Sequence, residues 1–175
     1  MDDDAGLDAR LVEAAALGDM PAFECLVRRH QGVVRALMRR LTDHATADDL
    51  CQATFLLAWQ KLAGFRGGSF RAWLCTIAYR LNAKQQRRRK QGQDDETDLP
   101  DPDQAQALGP RIDLDHAISA LPPAQRHAIV LSSLGGLSHG EIADLTGWPL
   151  GTVKSHVQRA KRRLRDALEG YADEQ

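Results

Sequence analysis

Leu121-Pro122-Pro123-Ala124-Gln125-Arg126, then Gly136-Leu137-Ser138-His139-Gly140-Glu141-Ile142-Ala143, then Gly151-Thr152-Val153-Lys154-Ser155-His156 running into Arg159-Ala160-Lys161-Arg162-Arg163-Leu164, is the stretch that decides the fold. Ser138 followed three residues later by Glu141 is the signature of a capping box at a helix start. Thr146-Gly147-Trp148-Pro149 supplies a turn, in which Gly147 can take a positive φ and Pro149 halts the first helix. A second helix from about residue 151 sets Val153, Val157, Ala160 and Leu164 four, three and four residues apart, a stripe for a small core. Lys154, Ser155, Gln158, Arg159 and Arg162 then point the other way. Residues 151–165 hold six Lys or Arg and no acid. The pattern predicts a helix-turn-helix whose second helix meets a polyanion, against the alternative of an exposed helix that is merely solvated.

In a major groove, Lys154, Ser155 and Gln158, near the helix start, are placed for base edges. Arg159, Lys161, Arg162 and Arg163 are placed for phosphates, which set position rather than sequence preference. Thr152 and the amides at the helix start also suit a phosphate.

Upstream, the chain reads as helical throughout. Residues 7–18 form a first helix, and Asp19 caps a second, with Pro21 in its first turn. Over 22–41 apolar residues recur at three and four between arginines, an amphipathic helix with a bend expected near Gly32. A turn at 43–46 precedes a third helix over 47–62, which shows Asp48, Asp49, Gln52 and Gln60. Residues 64–68 break the pattern. Ser69 caps a fourth helix carrying Phe70, Trp73, Leu74, Ile77 and Leu81 on one stripe.

The net charge of −1 is an average over opposed blocks. Residues 84–90 contribute five bases in seven positions, and residues 91–103 carry six acids and no base. The second block is read as a flexible, solvated linker. The fold class is therefore all-α: two small helical domains joined by a flexible acidic linker, the second a four-helix domain containing the helix-turn-helix. The boundaries are 1–90, 91–112 and 113–170. Three widely spaced cysteines at helical apolar positions suggest buried thiols, and the six histidines form no zinc spacing. No apolar run is long enough for a bilayer span and no secretory leader is visible, which points to the cytoplasm. No nucleophile, base and oxyanion donor converge, so the chain is read as a non-enzyme, with no metal or cofactor.

The stretch 65–90 joins aromatics, a Gly-rich loop and a basic helix. Phe70 and Trp73 suit a core, and the glycines suit a simple turn. Alternatively the loop Phe65-Arg66-Gly67-Gly68-Ser69 holds an unstacked base while Arg80, Lys84, Arg87 and Arg88 follow a single strand. The face with Asp48, Asp49, Gln52 and Trp59 suits a protein partner, although Trp59 suits a core equally well.

Ala47-Asp48-Asp49-Leu50-Cys51-Gln52-Ala53-Thr54-Phe55-Leu56-Leu57-Ala58-Trp59, then Phe65-Arg66-Gly67-Gly68-Ser69-Phe70-Arg71-Ala72-Trp73-Leu74, then the helix-turn-helix, resemble bacterial RNA polymerase sigma factors of the extracytoplasmic-function class. The likeness covers residues 20–90 and 113–168, in the family's order.

The resemblance implies that Asp48, Asp49, Gln52 and Trp59 bind core RNA polymerase. Phe65, Arg66, Gly67, Ser69, Arg80, Lys84, Arg87 and Arg88 would melt and read the upstream edge of the minus-ten element. Thr152, Lys154, Ser155, His156, Gln158, Arg159, Arg162 and Arg163 would meet the minus-thirty-five element. The linker would pass near the RNA exit path, and the class implies an anti-sigma partner. Ala53 stands where the family has Glu, Arg80 and Lys84 where it has Asn and Asp, and His156 where Arg is common. The first weakens one expected polymerase contact; the others shift promoter preference. A free-standing helix-turn-helix regulator is the alternative, which binding to a closed promoter without polymerase would favour.

Overall fold

The computed structural model describes residues 2–92 and 110–172, so most of the linker expected over 91–112 lies outside the described residues. Every regular element among them is helical: α1 Asp2–Ala16, α2 Met20–Arg39, α3 His44–Lys61, a 3-10 turn Leu62–Gly64, α4 Phe70–Gly92, α5 Pro110–Ser119, α6 Pro123–Ser133, α7 His139–Thr146 and α8 Leu150–Ala172. The expected all-α class holds.

Local chemistry sets most of the boundaries. The carboxylate of Asp19 accepts from the Ala22 amide at 3.1 Å and Pro21 sits in the first turn of α2. Helix α2 then runs from Met20 to Arg39 as one element, Gly32 included. Asp43 accepts from the Thr46 amide at 2.8 Å, so the stretch read as a turn is the cap of α3, which begins at His44. Burial would raise the Asp43 carboxyl, but the Thr46 amide and hydroxyl and the Arg89 guanidinium bring it down to about 2. Ser69 caps α4 as expected, its hydroxyl accepting from Ala72 at 3.2 Å.

Helices α1 to α4 pack on one another around Leu26, Val34, Leu37, Met38 and Leu74. Helices α5 to α8 pack around Leu131, Ile142, Val153 and Val157. Cys51 and Cys75 are buried, and burial pushes the Cys75 thiol up to about 12. Cys25 is exposed, contrary to the sequence reading, because it lies on the solvent side of α2 next to Glu24 rather than on the stripe of Phe23 and Leu26.

Among the described residues, three polar contacts join the first group of helices to the second. The Arg71 Nε donates to the Leu134 carbonyl at 2.7 Å, and its terminal nitrogen reaches the Ser133 and Leu134 carbonyls. The Tyr79 hydroxyl lies 3.4 Å from His127 Nδ1, with the rings edge to face. Arg40 pairs with Asp115. No helix among the described residues is long and apolar enough to cross a membrane.

Candidate nucleic-acid interface

The helix-turn-helix is built from short-range bonds. The Ser138 hydroxyl accepts from the Glu141 amide at 3.2 Å, and the Glu141 carboxylate accepts from the Ser138 amide at 2.8 Å, the expected capping box. The Ser138 hydroxyl first, and then the Ser138 amide, hold the Glu141 carboxyl below its ordinary value. Helix α7 ends where Gly147 adopts φ +75, a left-handed backbone that a side chain would strain. The Thr146 hydroxyl donates to the Ile142 carbonyl at 2.7 Å and accepts from the Trp148 amide at 3.3 Å, tying the turn to the helix before it.

On α8, Val153, Val157 and Ala160 are buried and Leu164 is half-buried, the stripe that the sequence predicts. Lys154, Gln158, Arg159, Lys161, Arg162 and Arg163 are exposed, and Thr152 and Ser155 are half-buried. The helix offers an unbroken basic face with no carboxylate before Asp166. His156 is different. Its ring meets Trp148 edge-on at 5.3 Å, and its Nδ1 is buried without a hydrogen-bond partner. Sequence reasoning gave no role to Trp148 beyond the turn; its spacing of eight residues from His156 was the available signal.

The surface on α4 divides in the same way. Arg66, Gly67 and Ser69 are exposed, and Gly67 and Gly68 both take φ +86. Phe65 is half-buried against Phe70 and Trp73, with ring centroids 5.7 and 5.2 Å away, so it forms the floor of the loop. Phe70 in turn meets buried His30 edge-on at 5.4 Å. Burial lowers the His30 pKa although Asp8, 2.9 Å away, acts in the opposite sense. Arg80, Lys84, Arg87 and Arg88 are exposed along one side of α4 and line an open cleft of about 540 Å³ with Tyr79 and Leu145.

On α3, Asp49 and Gln52 are exposed and Trp59 is half-buried, packed on Phe23 at 4.9 Å. Asp48 is engaged within the protein, 3.0 Å from Arg35 Nε and 3.9 Å from Arg39, and so braces α3 on α2. The sequence reading passed over Leu56, which is 63% exposed, one turn beyond Gln52 and one turn before Gln60. A helical projection places these three together. Among the described residues no group of three or more His, Cys, Asp or Glu is arranged to hold a metal ion.

Comparison with known proteins bears on both surfaces. The family description "Sigma-70 region 2" matches residues 26–92, and "Sigma-70, region 4" matches residues 111–164. The ECF RNA polymerase sigma factor SigE of Mycolicibacterium smegmatis is 35% identical over 175 residues, covering 91% of this chain and 67% of that protein. The ECF RNA polymerase sigma-E factor of Haemophilus influenzae is 32% identical, covering 93% and 95%. Among solved structures, the sigma factor RpoE of Bartonella quintana, in complex with the anti-sigma factor NepR, aligns with a TM-score of 0.64 at 32% identity, covering 84% of this chain and 96% of that one. CnrH, in complex with the cytosolic domain of CnrY, aligns at 0.63 with 26% identity, covering 94% and 98%.

Proposed function

The chain belongs to the extracytoplasmic-function class of the sigma-70 family and is a sigma factor that directs RNA polymerase to promoter DNA, and from that premise we propose how its residues divide the work. Residues 1–90 form one domain and residues 113–170 another, with 91–112 as the linker. The first docks on core polymerase through Asp49, Gln52, Leu56 and the open side of Trp59, while Asp48 holds α3 in register. The position of Ala53, half-buried between Gln52 and Thr54, leaves Gln52 as the polar contact at that turn.

The loop 65–69 captures an unpaired base at the upstream edge of the minus-ten element. Arg66 and the glycine backbone form its rim, and Phe65 its floor. Arg80, Lys84, Arg87 and Arg88 guide the phosphates of that strand. Taking a base out of the stack costs a few kcal/mol, and holding it offsets that cost. In the second domain Lys154, Ser155 and Gln158 read base edges of the minus-thirty-five element. Thr152, Arg159, Arg162 and Arg163 take phosphates, and His156 acts through Trp148 by fixing the turn. Each phosphate neutralised releases counterions, so affinity falls steeply with salt. Nucleotidyl transfer is the polymerase's chemistry; the sigma factor supplies position and strand capture.

The two solved relatives held by protein partners support an anti-sigma partner for this chain as well, and work on polymerase assigns it to the bacterial cytoplasm. The observation that carries the reading is the order of the two regions along the chain together with the exposed, acid-free basic face at the start of α8. Run-off transcription with purified bacterial core polymerase over a randomised promoter library tests it. Transcripts sharing a two-part upstream motif are expected only when this protein is added. Binding to core without any such transcript refutes the minus-ten assignment, and failure to bind core refutes the assignment on α3.

A further inference from the structure

Helix α1 has no part in the division of work above, yet it braces the strand-capture loop at both ends. It packs on the 3-10 turn Leu62–Gly64, which leads directly into Phe65. At the far end of the loop it acts through one buried side chain of α2. One oxygen of the Asp8 carboxylate lies 2.9 Å from His30 Nε2, and the other accepts from Arg29 Nε at 2.9 Å. A carboxylate only accepts, so the imidazole carries a hydrogen on Nε2 and is held in one orientation. Burial first, with the Arg29 and Arg71 charges behind it, lowers the His30 pKa against the opposing pull of Asp8, so the ring is uncharged at neutral pH.

That fixed ring meets Phe70, the first residue of α4 after the loop, at an interplanar angle of 69°. His30 and Phe70 are both buried, so neither ring has solvent to turn into. Phe70 passes the contact on, to Phe65 at 5.7 Å and 89° and to Trp73 at 5.5 Å. Ring pairs of this kind are directional, so the angle of one limits the angle of the next. The loop has little else to fix it. Arg66, Gly67, Gly68 and Ser69 are exposed, and the Phe65 ring is the part that packs on the core.

From these contacts we infer that Asp8 and His30 are positioning residues for base capture: α1 sets the His30 ring, His30 sets Phe70, and Phe70 sets the Phe65 floor on which the loop 65–69 stands. This rests on the assignment of that loop to the unpaired minus-ten base made above. Neither residue touches DNA. Their effect belongs to the captured base alone and leaves the polymerase-docking face of α3 and the recognition helix α8 as they are.

A coupling measurement tests this on the holoenzyme with core polymerase. The probe is fork DNA from a promoter recovered in the run-off experiment, with the upstream minus-ten base either unpaired or replaced by an abasic site. Wild type should bind the abasic fork on the order of tenfold more weakly. Asp8→Ala should reduce that ratio to roughly threefold or less, because contacts in one network are not additive. Asp8→Asn keeps an oxygen that can accept from His30 and should retain most of the ratio. Affinity for core should stay at the wild-type level in both. Comparing two forks with one protein cancels the change in net charge, which acts on both alike. Val34→Ala, a core truncation on α2 away from these rings, should keep the full ratio, and this separates positioning from general loosening. An undiminished ratio in Asp8→Ala, an equal fall in Asp8→Asn, or an equal fall in Val34→Ala overturns the inference. A wild type indifferent to the missing base refutes the loop assignment itself, and the inference falls with it.

Discussion

Ser138→Ala tests whether the helix-turn-helix stands on its own local chemistry. The substitution removes the hydroxyl that accepts from the Glu141 amide at 3.2 Å and unsupports the return bond at 2.8 Å. Replacing a Ser cap by Ala costs about 1 kcal/mol, within a range of roughly 0.5–2, whereas Gly costs only a few tenths. Helix α7 has eight residues, well below the length at which a helix persists alone, so the loss passes directly to the packing of Ile142. The size of the melting shift also reports the cooperative unit. A loss of 1 kcal/mol moves the midpoint by about 4–8 °C in a unit of 60–100 residues, and by about 2–4 °C in one of 150–250. If residues 113–170 unfold as their own domain, scanning calorimetry should show the larger shift in one of two transitions and none in the other. The pH dependence has a defined sign. Because Ser138 holds the Glu141 carboxyl below its ordinary 4.5, the stabilisation is complete above that value and is lost as pH falls through the lower folded value. The gap between wild type and Ser138→Ala should therefore narrow in acid. Equal shifts for Ala and Gly, or a gap that widens in acid, would refute the reasoning.

Three further outcomes follow from the same structure. Lys154→Ala should lose about 1–3 kcal/mol at one base position of the minus-thirty-five element, whereas Arg163→Ala should weaken all sequences alike and reduce the salt slope by about 1; binding across a set of base substitutions at several salt concentrations separates them. Asp43→Ala should cost about 1 kcal/mol at neutral pH. Since the folded Asp43 carboxyl lies at about 2 against an ordinary 3.8, the wild type should lose this advantage as pH falls from 3.8 toward 2, which urea midpoints measured down the pH scale will show. Leu56→Ala should change thermal stability by less than about 0.5 kcal/mol yet weaken core polymerase binding roughly tenfold, as read by titration of labelled core.

What the sequence made legible was local. Ser138 finds Glu141 three residues away, and Asp19 finds Ala22 at the same distance, so the caps are spelled out in order along the chain. The stripe of Val153, Val157 and Ala160 is equally readable, because one helix face repeats with the helix. The rest depended on residues far apart in the chain. The pairing of Asp48 with Arg35 and Arg39 exists only because α2 packs on α3. Phe65 and Trp73 lie on either side of the glycine loop, and only the turn there sets one ring on the other. Arg71 and Leu134 are 63 positions apart, and no periodicity relates them. Cys25 shows the limit of composition: a thiol among apolar neighbours is buried only if it falls on the inward side of the helix.

The pairing of Trp148 with His156 also constrains how this factor can evolve. The turn of the helix-turn-helix and its recognition helix share one ring contact, so a change at either position alters the surroundings of the other. A lineage that exchanges His156 for a longer cation reaching toward phosphate uncovers an indole in the turn, and a lineage that loses Trp148 leaves a half-buried imidazole with nothing against it. New promoter preferences are then reached more readily at exposed Lys154 and Gln158, where neighbours make no demand, than at position 156.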